Sequence, residues 1–222
     1  MERHLQITAD GSHTIAIPDM QVTYHSKHGA IQESNHVFID AGLKYYHKQH
    51  PGQPIQILEM GLGTGLNCLL TAIYAIEQKI PVKYHAIEAF PLQAEEANTL
   101  NYGKLLNEDD LFQQIFVSPW NCSNTLHSCF QLYKHHTALQ QFADDGLFSC
   151  IFYDAFAPSA QPELWTEEIF ARLFSLLVPG GLLVTYCSKG DVRRVMETVG
   201  FKVTKIQGPP GKREMVRAFK DA

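Results

Sequence analysis

A glycine-rich turn after an apolar run is the stretch whose residue types and spacing point most directly to chemistry. Residues 55–67 read IQILEMGLGTGLN, so an acid, Glu59, precedes three glycines that alternate with single residues. Because glycine has no Cβ and adopts positive φ readily, such a turn lets the backbone approach a bound ligand closely. The alternative interpretation is an ordinary tight turn of an α/β protein.

Two further acids end apolar runs elsewhere in the chain. The run VKYHAIE ends at Glu88, 25 residues after Gly63, and FSCIFYD ends at Asp154. In nucleotide-binding α/β folds an acid at about the separation of Glu88 accepts hydrogen bonds from the ribose hydroxyls; capping of the next helix is the alternative for Glu88. Because ligands bind beyond the carboxyl ends of parallel strands, we expect all three acids at one cleft.

The elements that position these acids alternate between strand and helix. Residues 5–24 predict a small hairpin around a DG turn, and the chain then leads into a helix through Tyr46. In the less legible segment 101–146, FQQIFV and CFQLYK are interpreted as strands and TALQQF as a helix. The pattern predicts an α/β fold with a doubly wound, mostly parallel sheet and an antiparallel edge strand. We assign residues 1–50 to an N-terminal hairpin and covering segment, and 51–222 to the main domain.

Composition excludes several classes of protein. The 222 residues carry a net charge of −5, so any nucleic-acid contact must come from a local basic patch. No apolar stretch approaches the roughly 18 residues that span a bilayer, and the N-terminus lacks a signal peptide's apolar core. Five dispersed cysteines without a CxxC pair fit a reducing cytoplasm. Neither His25 with His28 nor the pair His135-His136 has the companions of a metal motif, so no metal is predicted.

Further blocks of sequence resemble one family. An acid before GxGxG, rather than GxGxxG, is typical of class I S-adenosylmethionine-dependent methyltransferases. The chain resembles the methyltransferase domain of the bacterial bifunctional enzymes of tRNA 5-methylaminomethyl-2-thiouridine biosynthesis, the MnmC family. The blocks that carry the resemblance are YHSKHGAIQESNHVFIDAGL, EMGLGTGLN, IEAFPL, DAFAPSAQPELWTEEIF and VRRVMETVGFKVTKIQGPPGKREM. The resemblance implies a class I, Rossmann-like fold and S-adenosylmethionine as donor. It also implies methylation of the primary amine of 5-aminomethyl-(2-thio)uridine at wobble position 34 of tRNA.

The resemblance also implies roles for individual residues. Asp154 would orient the amine and help to remove its proton, or else only cap the loop before Pro158. Phe156 would stack on the wobble base, or pack in the core. The residues expected to hold the donor are Glu59, Gly61, Gly63, Thr64, Gly65, Asn67, Glu88 and Glu33. The block that carries Glu33 would fold over the donor or else form a plain surface loop. The residues expected to meet anticodon phosphates, or to form a solvated surface, are Lys189, Arg193, Lys212 and Arg213.

The chain departs from the family pattern in two places. Bifunctional relatives continue into a flavin-dependent domain, whereas this sequence stops at Ala222, so we expect no FAD and a substrate whose aminomethyl group is installed by separate enzymes. Where relatives carry an acid for the adenine, this sequence reads LYKHHT, which leaves backbone groups for that contact. Two other functions stay open: methylation of a small-molecule amine, and a non-catalytic module that binds S-adenosylmethionine.

Overall fold

The computed structural model describes residues 2–143 and 146–221, so the outermost residue of each predicted domain, 1 and 222, lies outside the described residues. The strands are β1 (His4–Ile7), β2 (His13–Ile17), β3 (Val22–Thr23), β4 (Ile55–Met60), β5 (Val82–Glu88), β6 (Ser123–His127), β7 (Phe130–His136), β8 (Phe148–Tyr153), β9 (Leu177–Thr185), β10 (Lys202–Gln207) and β11 (Glu214–Phe219). The α-helices are α1 (Ala30–Ser34), α2 (Tyr45–Gln49), α3 (Leu66–Gln78), α4 (Ala94–Ala97), α5 (Tyr102–Leu106), α6 (Asp109–Val117), α7 (Glu167–Leu176) and α8 (Gly190–Thr198). A π-helical segment, Asn35–Lys44, joins α1 to α2, and short 3-10 turns lie at Pro18–Met20, Leu139–Gln141 and Pro162–Leu164.

The main sheet of the described residues has the strand order β10-β11-β9-β8-β4-β5-β7-β6. Strands β9, β8, β4, β5 and β7 run parallel to one another, which confirms the predicted mostly parallel α/β fold. The antiparallel strand β11 is not at an edge, because β10 pairs with its outer side. The opposite edge is formed by β6, which is antiparallel to β7. Central strands such as β4 are almost entirely buried because helices cover both sides of the sheet.

Helices form one layer on each face of this sheet. The π-helical segment, α3 and α6 pack on one face, and α7 and α8 pack on the other. Helix α7 ends at Leu176, and β9 begins directly after it, so the residues Pro179 to Gly181 lie inside a strand.

The segment 101–146 differs from its sequence prediction in two of three elements. The predicted strand FQQIFV was wrong, since these residues belong to α6. Its buried residues Leu111, Phe112 and Ile115 recur at helical spacing and so face the core together. The predicted helix TALQQF is reduced to the single 3-10 turn Leu139–Gln141. The strand predicted for CFQLYK is confirmed as β7.

The N-terminal hairpin is fastened to the main domain by side-chain hydrogen bonds. Strands β1, β2 and β3 form a small separate sheet. The Asn101 amide accepts from the His13 N–H (2.9 Å) and donates to the Gly11 carbonyl (2.9 Å). Arg3 adds an ion pair to Glu96 (2.8 Å). These bonds hold the hairpin over the carboxyl ends of the parallel strands.

The helical part of the predicted segment 1–50 packs directly on the sheet. The ring of Phe38, in the π-helical segment, lies 5.4 Å from that of Phe152 on β8 between centroids. At Gly42 a Cβ would stand only 3.0 Å from Phe152 and Val184, so glycine allows the segment to approach the strands closely. The domain boundary at residue 50 stays a prediction.

No helix in the described part of the chain is long and apolar enough to cross a membrane.

We predict that Asn101→Ala loosens the N-terminal hairpin without unfolding the main domain. Removing the amide deletes two hydrogen bonds to the backbone of the hairpin, each worth about 0.5–1.5 kcal/mol of local stability. Hydrogen exchange should therefore quicken in residues 4–28 and stay unchanged in β4 and β8. Gln114→Ala, an exposed position on α6, is the control. Equal exchange in wild type and Asn101→Ala would contradict this attachment.

Candidate active site

Two adjoining cavities lie beyond the carboxyl ends of the parallel strands. The larger, of about 450 Å³, is enclosed by the glycine turn, the loop after β8, residues 138–140 and the N-terminal segment. The smaller, of about 260 Å³, continues towards Glu33, Tyr186 and Lys212. Residues lining both cavities are Tyr24, His25, Asp154, Ala155 and Phe156. The structure thus brings Asp154 to the junction of two compartments.

The glycine turn wraps the floor of the larger cavity. Gly61, Gly63 and Gly65 all have positive φ (89°, 50° and 71°), which side chains rarely adopt. The Gly63 N–H donates to Oε2 of Glu88 (3.0 Å), while the Phe90 N–H donates to Oε1 (2.8 Å). Glu88 is thereby held at the cavity wall by two backbone donors. Gly65 does not line either cavity: its missing Cβ faces the Phe116 ring, and the residue precedes α3.

Asp154 is half-buried directly after β8. Its Oδ2 accepts a hydrogen bond from the Asn67 amide (3.0 Å), and its N–H donates to the Met60 carbonyl (3.2 Å). Burial, followed by the negative charge of Glu33, raises the pKa of Asp154 to about 7, against the opposing effects of Asn67 and Lys212. A carboxyl group with this pKa can accept a proton near neutral pH far better than an ordinary aspartate.

Glu59 lies behind the cavity wall rather than in it. The side chain is fully buried beneath α3, near Asn67 and Tyr84, and it does not line either cavity. Burial raises the pKa of Glu59 well above its usual value, and the negative charge of Asp154 raises it further. Burial therefore favours the protonated, uncharged form of Glu59. The structure does not place it where it would touch a bound donor, so its cofactor role stays a prediction.

Phe156 sits on a loop that two side chains anchor. The Trp165 indole N–H donates to the Phe156 carbonyl (2.8 Å), and the Phe156 N–H donates to Oε1 of Gln161 (3.1 Å). These contacts explain the spacing of the DAFAPSAQPELW block, since its last residue fastens the loop that begins at Asp154. The Phe156 ring meets the Tyr24 ring edge-on, with centroids 5.2 Å apart.

Sequence patterns did not predict three of the side chains at the site, Tyr24, His25 and Tyr186. Tyr24 packs against Gly63, where a Cβ would stand 2.9 Å from its ring. His25 shares a hydrogen bond with the Thr64 hydroxyl (2.7 Å), and burial lowers the pKa of His25 to about 4, so it is neutral. Tyr186 donates to the Ala155 carbonyl (2.8 Å). The YHSKHG block carries two of them, but nothing in it indicates that they face the glycine turn.

The predicted basic residues divide between cavity and surface. Lys212 pairs with Oε1 of Glu33 (2.9 Å) and lines the smaller cavity, so Glu33 lies there and not in the larger one. Lys189 and Arg213 are exposed, and Arg193 is half-buried. Arg193 donates to the Ser188 carbonyl (3.3 Å). These three line neither of the two cavities.

The larger cavity fits S-adenosylmethionine, the donor implied by the sequence. Asn67 lines it, and its buried Oδ1 has no hydrogen-bond partner among the described residues, as expected of a site that holds a polar ligand. Gly61, Gly63 and Thr64 line the same wall, with Glu88 available for the ribose. Residues 138–140, just after β7, line the same cavity. Within residues 2–143 and 146–221, no group of three or more His, Cys, Asp or Glu side chains is placed to hold a metal.

We predict that Gly63→Ala weakens binding of S-adenosylmethionine by about tenfold or more, because the new Cβ meets Tyr24 and moves the turn. Isothermal titration calorimetry measures this directly. Gly52→Ala is a matched control, since Gly52 also has positive φ (75°) but no atom lies within 4 Å of a Cβ there. Equal affinities of the two variants would show that the turn is not the binding wall.

We predict that Asp154→Asn stabilises the protein at pH 8 and not at pH 4. The folded-state pKa of Asp154 is raised, so the wild type loses stability as pH rises from the unfolded value through about 7. The asparagine variant has no such loss and should be more stable at pH 8 by about 1–3 kcal/mol. Urea unfolding at both pH values tests this; a pH-independent difference would contradict the raised pKa.

Comparison with known sequences identifies the chemistry of the site. A profile for an S-adenosyl-L-methionine-dependent methyltransferase family matches residues 131–221. The tRNA 5-methylaminomethyl-2-thiouridine biosynthesis bifunctional protein MnmC of Pseudomonas syringae is 30% identical over 97% of this chain and 34% of its own length. The MnmC of Aeromonas salmonicida is 27% identical over 96% of this chain and 35% of its own length. The chain thus spans about a third of the length of these curated relatives.

Solved structures give the same result. The crystal structure of MNMC2 from Aquifex aeolicus superposes with a TM-score of 0.81 and 26% identity, covering all of this chain and 71% of that one. Spermidine synthase from Thermotoga maritima, at a TM-score of 0.54 and 16% identity over 98% of this chain and 71% of its own, shares the fold alone. The chain has the fold of the class I S-adenosylmethionine-dependent methyltransferases and is similar, in sequence and in structure, to the MnmC proteins.

Proposed function

We propose that the protein transfers a methyl group from S-adenosylmethionine to the primary amine of 5-aminomethyl-(2-thio)uridine at the wobble position of tRNA, in the cytoplasm. The product would be 5-methylaminomethyl-(2-thio)uridine. The observation that carries the proposal is the position of Asp154, at the junction between the donor-sized cavity and a second cavity lined by Tyr24, Phe156 and Tyr186. The names of the MnmC relatives support this substrate.

Asp154 has the properties that amine methylation requires. S-adenosylmethionine supplies an electrophilic methyl group on a sulfonium, and an amine accepts it only through a free lone pair. The Asp154 carboxylate, oriented by Asn67, can accept a hydrogen bond from the amine and point its lone pair into the larger cavity. Because the pKa of Asp154 is raised to about 7, the carboxylate can also take the proton that the amine loses.

The second cavity suits an unstacked base carrying a short aminomethyl arm. Aromatic rings of Tyr24, Phe156 and Tyr186 line it, and proteins commonly bind splayed RNA bases against such rings. Outside the cavity, Lys189, Arg193 and Arg213 are available to anticodon phosphates. Arg193 and Arg213 lie close enough together that both lower the pKa of Glu214, after the larger effect of Lys205. We assign these contacts as part of the proposal.

A small-molecule amine is the second candidate substrate. The smaller cavity, at about 260 Å³, has room for a compact amine without any nucleic acid. The basic residues outside the cavity would then have no role. The salt dependence of substrate affinity separates the two candidates. Affinity falls more steeply with salt concentration for every phosphate that the protein contacts.

We predict that tRNA bearing 5-aminomethyl-2-thiouridine gains one methyl group per wobble uridine when incubated with the protein and S-adenosylmethionine. Nucleoside mass spectrometry measures the product. Unmodified tRNA should stay unmethylated, because uridine offers no amine. Asp154→Asn should lower the rate by about a hundredfold or more, since a group that orients or deprotonates the nucleophile is lost, while S-adenosylmethionine still binds.

Three outcomes would contradict the proposal. Methylation of free amines with no methylation of aminomethyl-bearing tRNA would identify a small-molecule enzyme. Binding of S-adenosylmethionine with no turnover on either substrate would identify a non-catalytic module. Full activity of Asp154→Asn would remove Asp154 from the mechanism. A supply of substrate tRNA requires enzymes that install the aminomethyl group, and we place those upstream of this protein.

A further inference from the structure

A lysine ammonium already lies beside the cavity where an amine must react. Lys212 is at the tip of the turn between β10 and β11, and its Nζ lies 2.9 Å from Oε1 of Glu33. The same Nζ stands 3.8 Å above the centroid of the Tyr186 ring. The sequence pattern predicts that Lys212 meets phosphates, but the structure turns it inward, towards Asp154.

The turn that carries Lys212 is tightly built. Its backbone is closed by hydrogen bonds from the Lys212 N–H to the Pro209 carbonyl (2.9 Å) and from the Gly208 N–H to the Arg213 carbonyl (3.2 Å). Gly211 has φ +86°, and a Cβ there would stand 2.3 Å from the His28 ring. The turn is therefore seated against the N-terminal segment, and the ammonium is held in place.

Glu33 is the fixed counter-charge of this ammonium. It is buried, and each carboxylate oxygen is occupied: Oε2 accepts from the Ser26 N–H (2.7 Å) and Oε1 from Lys212. Glu33 raises the pKa of Asp154 whereas Lys212 lowers it. The titratable groups that interact with Asp154 are Glu33, Glu59, Lys212, Tyr84 and Tyr186. Those that interact with Lys212 are Glu33, Asp154, His25, Cys187 and Tyr186.

An alkyl amine is protonated at neutral pH and is then no nucleophile. A fixed positive charge next to it disfavours the ammonium form, as does a neighbouring carboxylate that can take the proton. We propose that the fixed Lys212 ammonium, balanced by Glu33, sets the protonation state of Asp154 and of the incoming amine, which makes Lys212 a positioning residue for methyl transfer. This inference rests on the proposed amine methylation.

The pH dependence of kcat/KM on aminomethyl-bearing tRNA tests the inference. Lys212→Met removes the positive charge but keeps a side chain of similar volume. The acidic limb of the pH profile, where kcat/KM falls as pH falls, should therefore move to higher pH. If it moves by one pH unit, kcat/KM falls about tenfold at pH 6.5 and recovers near pH 9. Glu33→Gln should move the acidic limb to lower pH, because the positive charge of Lys212 is then no longer offset by the negative charge of Glu33. Lys212→Arg keeps the charge and should retain the wild-type limb. Lys205→Met, which removes an exposed lysine paired with Glu214, should also leave it unchanged.

Opposite displacements of the limb in the two variants cannot arise from misfolding. Equal loss at every pH in Lys212→Met, or displacement of the limb in the same direction by both variants, would show that the pair only joins two segments and would overturn the inference.

A second measurement separates this inference from the proposed function. The titration of the Asp154 carboxyl carbon, followed by ¹³C NMR in the protein without tRNA, should have a higher midpoint in Lys212→Met and a lower one in Glu33→Gln. Unmoved midpoints overturn the inference, whether or not tRNA is methylated. Moved midpoints in a protein that methylates no tRNA support the electrostatic role of Lys212 and overturn the proposed substrate.

Discussion

The site depends on placing three acids at the ends of three neighbouring parallel strands without allowing them to repel one another. Strands β8, β4 and β5 end beside Asp154, Glu59 and Glu88. Glu88 accepts hydrogen bonds from two backbone N–H groups of the turns around it. Burial raises the pKa of Glu59 and so favours its uncharged form. Burial also raises the pKa of Asp154, to about 7, so both of its protonation states are populated near neutral pH.

Neutralisation of one acid matters for the other two. Burial raises the pKa of Glu59, and a negative charge on Asp154 raises it further, so the protonation states of the two acids depend on each other. Asn67 donates to Asp154, while its own oxygen is buried without a hydrogen-bond partner among the described residues. A single amide at the first turn of α3 therefore orients the Asp154 carboxyl group beside the larger cavity.

Sequence patterns predicted the parts of this protein that depend on local rules. Buried runs such as FSCIFY mark parallel strands, and acids at their ends mark the ligand edge of the sheet. The strand predicted for FQQIFV was wrong because a short apolar run has no unambiguous period; the preceding residues of α6, which include the buried Leu111, supply the missing context. Tyr24 and His25 escaped notice because their roles depend on packing against Gly63 and Thr64, about forty positions along the chain. The inward orientation of Lys212 was equally invisible, since its partner Glu33 is 179 residues away.

That separation has a consequence for the order in which the molecule assembles. Glu33 lies in an early helix and Lys212 in the last turn, so the ion pair closes a loop of nearly the whole chain. Contacts of such long range form late, because the entropy of loop closure must be overcome first. During synthesis, all the residues that line the larger cavity leave the ribosome well before the turn that carries Lys212 does. A nascent chain therefore contains every residue of the larger cavity before the ion pair that borders the smaller cavity can form.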